Sequence, residues 1–253
     1  HAILGLEKLY QISYCLLMQT IGSSNNLAKC NRQPKSNGAD IVAFNLINYF
    51  DEHNQQIEIK YKSSSSKIDP RIFILNSPAP WQALFRKSLF LHGLMFPEHT
   101  FFEDASIMPA IFLSASKISL LNDAYYFYRR NNISTCRKKD DYRFFERIRA
   151  MERFYDNINE LGFKDKYHSE IEYQFLKVAL LDSIVGGIKN FTTYPKEKII
   201  EACEVANKYF PNWKDNPYMK QEKGVRRVLY SIFRTNIKFG ILVSNIASRI
   251  INR

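Results

Sequence analysis

Apolar residues recur at helical spacing along residues 3–21, at Leu6, Leu9, Ile12 and Leu16, and predict a first helix. The polar, breaker-rich segment GSSNNLAKCNRQPKSNG (22–38) then predicts a loop. ADIVAFNLINYF (39–50) is a compact apolar stretch rich in β-formers and predicts a buried strand. DEHN turns the chain, QQIEIKYK (55–62) alternates as a half-exposed hairpin partner, and SSSS (63–66) is a flexible tip. Residues 81–90 predict a short helix or a strand–helix junction, and 106–116 a helix. KISLL (117–121) and AYYFYRR (124–130) predict two strands joined by the turn residues Asn122 and Asp123.

From Asp140 onward the pattern changes to helices. DDYRFFERIRAMERFYDNINELG places Phe144, Phe145, Ile148, Met151, Tyr155 and Ile158 on one face, with Asp at its start and Gly162 at its end as capping requires. Further helices are predicted at 167–188, at 195–209 with Pro195 at the first helical position, and at 224–251. No internal repeat is visible. The expected organisation is α/β: a mixed sheet with flanking helices over 1–139, then an all-helical region over 140–253.

Composition narrows the class. Of 253 residues, 45% are hydrophobic and 14% aromatic, enough for a sizeable core and against global disorder. The formal net charge of +11 fits anionic partners, whether nucleic acid, phosphorylated small molecules or a membrane surface. Cys15, Cys30, Cys136 and Cys203 form no close pair, which argues against thiol metal sites and a disulfide framework and points to a reducing cytosol. His1, His53, His92, His99 and His168 show no metal-ligand spacing. The start HAILGLEKLY lacks the charged lead of a signal peptide, and no apolar run reaches the ~18 residues of a membrane span. Beginning at His, the chain reads as a fragment or processed product.

Candidate chemistry gathers in FPEHTFFEDASIMPAIFL (96–113), where Glu103 and Asp104 open an apolar run. Acidic residues in that position are ordinary helix-start residues, and they are also what proton transfer requires. Four segments in order carry a resemblance: ADIVAFN, PWQALFRKSLF, FPEHTFFED and YYFYRRNNIST, spanning 39–135. Together they resemble bacterial family 2 glycosyltransferases with the GT-A fold, whose corresponding segments read Pro-Trp-Asn-Lys-Leu-Phe-Arg-Arg, Phe-x-Glu-Gly-x-x-Tyr-Glu-Asp and Tyr-x-Tyr-Arg…Ser-x-Thr. KYFPNWKDNPYMK also looks like C-terminal regions of that family. The chain departs from the pattern at Ala83, where the family has Lys, and at His99, where it has Gly. The family's N-terminal strand and its Asp-x-Asp metal motif are missing; the first acidic residues, Glu7, Asp40 and Asp51, sit in no such motif. LEKLYQISYCLLMQTIG resembles the family's first helix, yet the chain then reaches GADIV directly. The expectation is an incomplete GT-A-like domain, truncated at its N-terminus and internally, with the donor half absent.

The resemblance implies transfer of a sugar, of hexosyltransferase type, from a nucleotide diphosphate sugar to a glycan or lipid-linked acceptor hydroxyl in surface-polysaccharide synthesis. Such a transfer needs a carboxylate to take the hydroxyl proton and a divalent cation, Mn or Mg, to hold the leaving diphosphate. By the match, Asp104 is the base and Glu103 helps position the acceptor or that base. Neighbouring side chains diverge, so one of the two faces the sugar, and the helix N-terminus is expected to lower the Asp104 pKa. Trp81 would stack on a sugar or serve as a core anchor. Arg129 and Arg130 would meet the diphosphate or end a strand in solvent. His99 would orient the acceptor or remain a surface residue. Ser134 and Thr135 read as turn formers.

The segment 223–253 has seven basic residues and no acidic one, with Val225, Leu229, Ile232, Phe239, Val243, Ile246 and Ile250 near one face. It predicts an amphipathic helix on an anionic membrane, or a core helix with a basic outer face. The expected place is cytoplasmic, peripheral at the inner face of the cell membrane. Three functions compete: the transferase or its acceptor half, a non-catalytic remnant or membrane-surface interaction module, and a nucleic-acid binder. The last lacks any helix-turn-helix, zinc or RNA-recognition signature, so nucleic acid is not an expected partner.

Overall fold

The computed structural model describes residues 38–50, 55–58, 68–77, 79–90, 93–130 and 138–252. The predicted helix at 3–21, the loop after it, the DEHN turn, the SSSS tip, Ser134 and Thr135 lie outside the described residues. The fold is mixed α/β and divides into two compact units. The first comprises the described residues up to Glu98 together with Ile107–Asn132; the second comprises His99–Ser106 and Ile133–Arg253. The helical unit thus also takes in the segment around Glu103 and Asp104.

The first unit is organised by β1 (Ile41–Phe50). Every residue from Ile41 to Leu46 is buried, which explains why the sequence reads as an apolar run rather than an alternation. β4 (Ile118–Arg130) runs parallel to β1 along its whole length. β2 (Gln55–Glu58) and β3 (Ala83–Phe85) both pair antiparallel with β1. A strand has two edges, so β2 and β3 share the one that β4 leaves: β3 lies opposite Ile41–Ala43 and β2 opposite Leu46–Tyr49. The two strands predicted over 117–130 are one. Its register jumps from Phe44↔Leu121 to Asn45↔Ala124, so Asn122 and Asp123 form a bulge rather than a turn. The continuous partner β1 holds the strand together where the local turn signal would have broken it.

On one face of β1, Val42, Phe44 and Leu46 pack with Leu84 and Tyr126. Elsewhere in this unit, Phe112 of helix α2 (Glu103–Ser114) stacks on Phe73 of α1 (Arg71–Asn76) at 4.2 Å and meets Phe85 edge-on at 5.7 Å. The chain from Ile107 to Leu113 is buried all round, as a uniformly apolar helix must be. α2 begins three residues before the predicted 106, which places Glu103 and Asp104 inside its first turn.

In the second unit, Asp141 Oδ1 accepts the Arg143 amide at 3.1 Å and caps a 3-10 turn (Tyr142–Phe145) that leads into α3 (Glu146–Glu160). Gly162, at φ 73°, ends it. The buried face of α3 includes Ile148, Met151 and Ile158 as expected; its fourth large member is Phe154, and Tyr155 is only half-buried. A continuous helical run follows: α4 (His168–Phe175), a π-helical turn (Leu176–Leu181) closed by a hydrogen bond from the Asp182 amide to the Lys177 carbonyl, and α5 (Asp182–Asn190). α6 (Lys196–Tyr209) starts one residue after Pro195, which occupies the cap position. The helix predicted at 224–251 is two, α7 (Gly224–Thr235) and α8 (Ile237–Ile251). Asn236 divides them, because its Oδ1 accepts the Phe239 amide at 3.0 Å and starts a new helix. Between α6 and α7, Asn216 anchors the connection to α4 by donating to Glu172 Oε2 at 2.6 Å and to the Ser169 carbonyl at 2.9 Å.

Candidate functional site

The segment before α2 bends through two left-handed residues, His99 (φ 54°) and Phe102 (φ 62°). Histidine tolerates that region; for a bulky side chain such as Phe102 it is strained and must be held by its surroundings. α3 supplies the hold. Glu146 Oε2 accepts the Phe101 amide at 2.9 Å. The Arg147 guanidinium lies 4.5 Å over the Phe102 ring and 3.7 Å over the Phe144 ring, sandwiched between two aromatic faces. Its Nε donates to the Phe144 carbonyl at 3.0 Å, and Asp182 stands 3.8 Å from its Nη1. Arg143 covers Phe101 at 4.6 Å and is itself fixed to Asp141, whose carboxyl this pairing pulls down to about 2.

Past Phe102 the two carboxylates diverge as adjacent helical residues must: Glu103 is exposed and Asp104 half-buried. Asp104 Oδ1 accepts the Ala105 amide at 2.7 Å, Ser106 Oγ donates to the Glu103 carbonyl at 2.6 Å, and Asn157 of α3 donates to the Ser106 carbonyl at 3.0 Å. The helix N-terminus was expected to lower the Asp104 pKa. It is raised instead, first by burial and then by the neighbouring Glu103 charge, which outweigh the Ala105 amide. A carboxyl moved toward neutrality is a stronger base while still able to ionise.

Trp81 belongs to the other unit. Its indole is stacked on Tyr128 at 5.6 Å and 12° and faces Tyr126 at 6.2 Å, so these tyrosines already take up ring surface expected for a sugar. Its Nε1 and the neighbouring Gln82 Nε2 are buried donors without a hydrogen-bond partner among the described residues. Arg129 and Arg130 end β4 opposite Tyr49 and Phe50; their side chains lie outside the described residues. The sheet unit therefore carries Trp81, Arg129 and Arg130, and the helical unit carries His99, Glu103 and Asp104.

Sequence reading missed Arg143, Glu146 and Arg147. The adjacent Phe101–Phe102 pair and two arginines four apart across the start of α3 were the available signal. It also missed a clasp between two of the resembling segments. Arg86 Nε lies 3.2 Å from Asp40 Oδ1, while Asp40 Oδ2 accepts the Ser116 and Lys117 amides at 2.9 and 3.2 Å. Asp40 is thus engaged in joining the start of β1 to the approach to β4. Its replacement by Ala leaves two amides without their acceptor and is expected to cost about 2 kcal/mol by denaturant titration. An unchanged midpoint would show that water replaces the carboxylate without penalty.

Among the described residues no three His, Cys, Asp or Glu side chains stand together as a metal seat. No helix among the described residues is long and apolar enough to cross a membrane. No protein-family model matches the chain, and no curated protein matches it.

Proposed function

We propose that this chain carries the acceptor-side half of a GT-A-type, family 2-like glycosyltransferase acting in the cytoplasm on surface polysaccharide. Asp104 is its base: a half-buried carboxyl in the first turn of a helix, pushed up in pKa, and presented by a strained Phe102 that Arg147 clamps. The acceptor O–H donates to Asp104, the proton moves to its carboxylate as the oxygen attacks the anomeric carbon, and the bond to the diphosphate breaks with inversion. Glu103, exposed beside it, and His99 hold the acceptor. His99 stands where the family has Gly, and its left-handed backbone is what such a position demands. In the sheet unit by itself, Arg129 and Arg130 are the candidates for a diphosphate, and Trp81, stacked on Tyr126 and Tyr128 with its Nε1 buried, serves as a core anchor.

The experiment is a calorimetric titration of the folded chain with uridine, guanosine, thymidine and cytidine diphosphate sugars with Mn²⁺, and separately with acceptor oligosaccharides. Nucleoside diphosphate release in the combined mixture would establish a complete enzyme. Glycan binding alone is the expected result for an acceptor half. Binding of neither would overturn the proposal and leave a non-catalytic membrane-surface interaction module, which the exposed apolar residues of α7 and α8 favour.

A further inference from the structure

Helix α8 is turned inside out relative to a helix of a water-soluble bundle. Its buried residues are Gly240, Ile241, Ser244 and Ser248, three of them small and two polar. Four of its large apolar residues face solvent along one side: Phe239 is 55% exposed, Leu242 55%, Ile246 50% and Ile250 68%. At ~100° per residue these four fall within one stripe on the side opposite Gly240, Ser244 and Ser248. The inward face is small for a packing reason. A Cβ on Gly240 would meet the Phe233 ring of α7 at 2.7 Å, so the two helices approach as closely as glycine allows. The close approach uses one face and leaves the other, apolar face unpartnered.

Charge identifies the occupant. The segment 223–252 has six basic residues, Lys223, Arg226, Arg227, Arg234, Lys238 and Arg249, and no acidic one. Ion pairs among the described residues engage Arg226 with Asp182 and Arg234 with Asp215, and none there engages Lys238 or Arg249. Lys238 and Arg249, eleven residues apart and so three helical turns along, flank the same edge of the apolar stripe. Beside Leu242 a groove of about 610 Å³ between α6 and α8 is lined by Lys196 and Lys238, with one acidic residue, Glu204. An apolar stripe edged by long cationic side chains matches a bilayer surface, where the apolar groups enter the acyl boundary and the cations stay among anionic headgroups.

We propose that α8 is a membrane-surface anchor, docking on anionic lipid through Phe239, Leu242, Ile246 and Ile250 with Lys238 and Arg249 at the headgroups. The anchor lies flat on the membrane and is independent of the transferase reading.

The test is sedimentation of the whole chain with vesicles of phosphatidylglycerol and phosphatidylcholine, against vesicles of phosphatidylcholine alone. The chain is expected to partition at least about tenfold better onto the anionic vesicles, with the preference falling as salt rises. The triple variant Phe239→Ser, Leu242→Ser, Ile246→Ser should lose at least about tenfold in binding with a far smaller change in melting temperature, because half or more of each residue is already exposed to water. The pair Lys238→Glu and Arg249→Glu should remove the lipid preference with the apolar stripe intact. Equal binding to both vesicles, or undiminished binding by the triple variant, would overturn the proposal. So would a stable dimer in analytical ultracentrifugation that the triple variant dissociates, since the stripe would then be covered by a second copy of this chain.

Discussion

Gly186→Ala should lower the stability of the helical unit by about 3 kcal/mol, the sum of ordinary overpacking and a lost cation–π contact. A Cβ at position 186 would stand 1.9 Å from Phe144 Cζ and 2.3 Å from Cε1. Atoms cannot occupy that space together, so the ring or helix α5 must move. The ring is not free to leave cheaply. It carries the Arg147 guanidinium at 3.7 Å and meets Phe145 and Phe191 edge-on at 5.4 and 6.2 Å. Displacing it also loosens Arg147 from Phe102, two residues before Asp104. The effect should appear as a drop of about 10 °C in melting temperature by circular dichroism. The double variant with Phe144→Ala should recover part of the loss, because the collision is gone. A melting temperature within about 2 °C of the parent, roughly a fifth of the expected shift, would mean that the ring escapes at no cost.

Asp104→Asn should do two things at once. On the proposed reading, transfer in any mixture that releases nucleoside diphosphate should fall by about 10²–10⁴-fold, the usual contribution of a positioned base. Stability at neutral pH should rise. The folded-state pKa of Asp104 is raised, chiefly by burial, so folding favours the protonated carboxyl. Below the ordinary carboxylate range the group is protonated folded and unfolded alike, and it contributes no difference. As pH climbs through that range the unfolded chain ionises first, and the parent loses stability until the folded group ionises as well. Asparagine has no proton to lose, so its advantage should be absent in acid and grow over that window. Denaturant titrations from pH 3 to 7, about the span of that window, read the difference directly. If Asp104 were an ordinary helix-start charge, the variant would instead be less stable at neutral pH, and the two cases differ in sign.

How much of this was legible in the sequence depended on whether the deciding contact was local. Asp141 and Gly162 delimit α3 and its short lead-in by cap chemistry that operates within a few residues, and they are where the pattern put them. The buried run of β1 was equally plain. Asn122 and Asp123 misled because turn propensity is local, whereas the ladder that overrode it comes from a strand some eighty residues earlier. Asn236 was missed for the opposite reason: a capping side chain interrupts α7 and α8 while the apolar spacing runs on through it. At the candidate site, adjacency of Glu103 and Asp104 correctly implied divergence, with one exposed and one half-buried. The sign of the Asp104 shift needed its burial, which no spacing rule supplies. The arginine clamp joins residues more than forty positions apart and could be seen only once α3 was in place.

The π-helical turn at Leu176–Leu181 bears on how this chain tolerates insertion and deletion. A wider turn sets the helix phase back by roughly one residue, ~100°, relative to an uninterrupted α-helix. Everything downstream inherits that offset, beginning with Asp182, whose carboxylate reaches Arg226 at 2.6 Å and Arg147 at 3.8 Å. Removing one residue within 176–181 would let the helix wind regularly and keep that phase, whereas winding all six residues as regular α-helix would swing Asp182 about a quarter-turn from both arginines. The alignment of this helix is therefore counted in residues rather than written in side chains: a homologue one residue shorter here keeps the junction by winding as a regular α-helix, while one that winds regularly at full length loses it with every side chain unchanged.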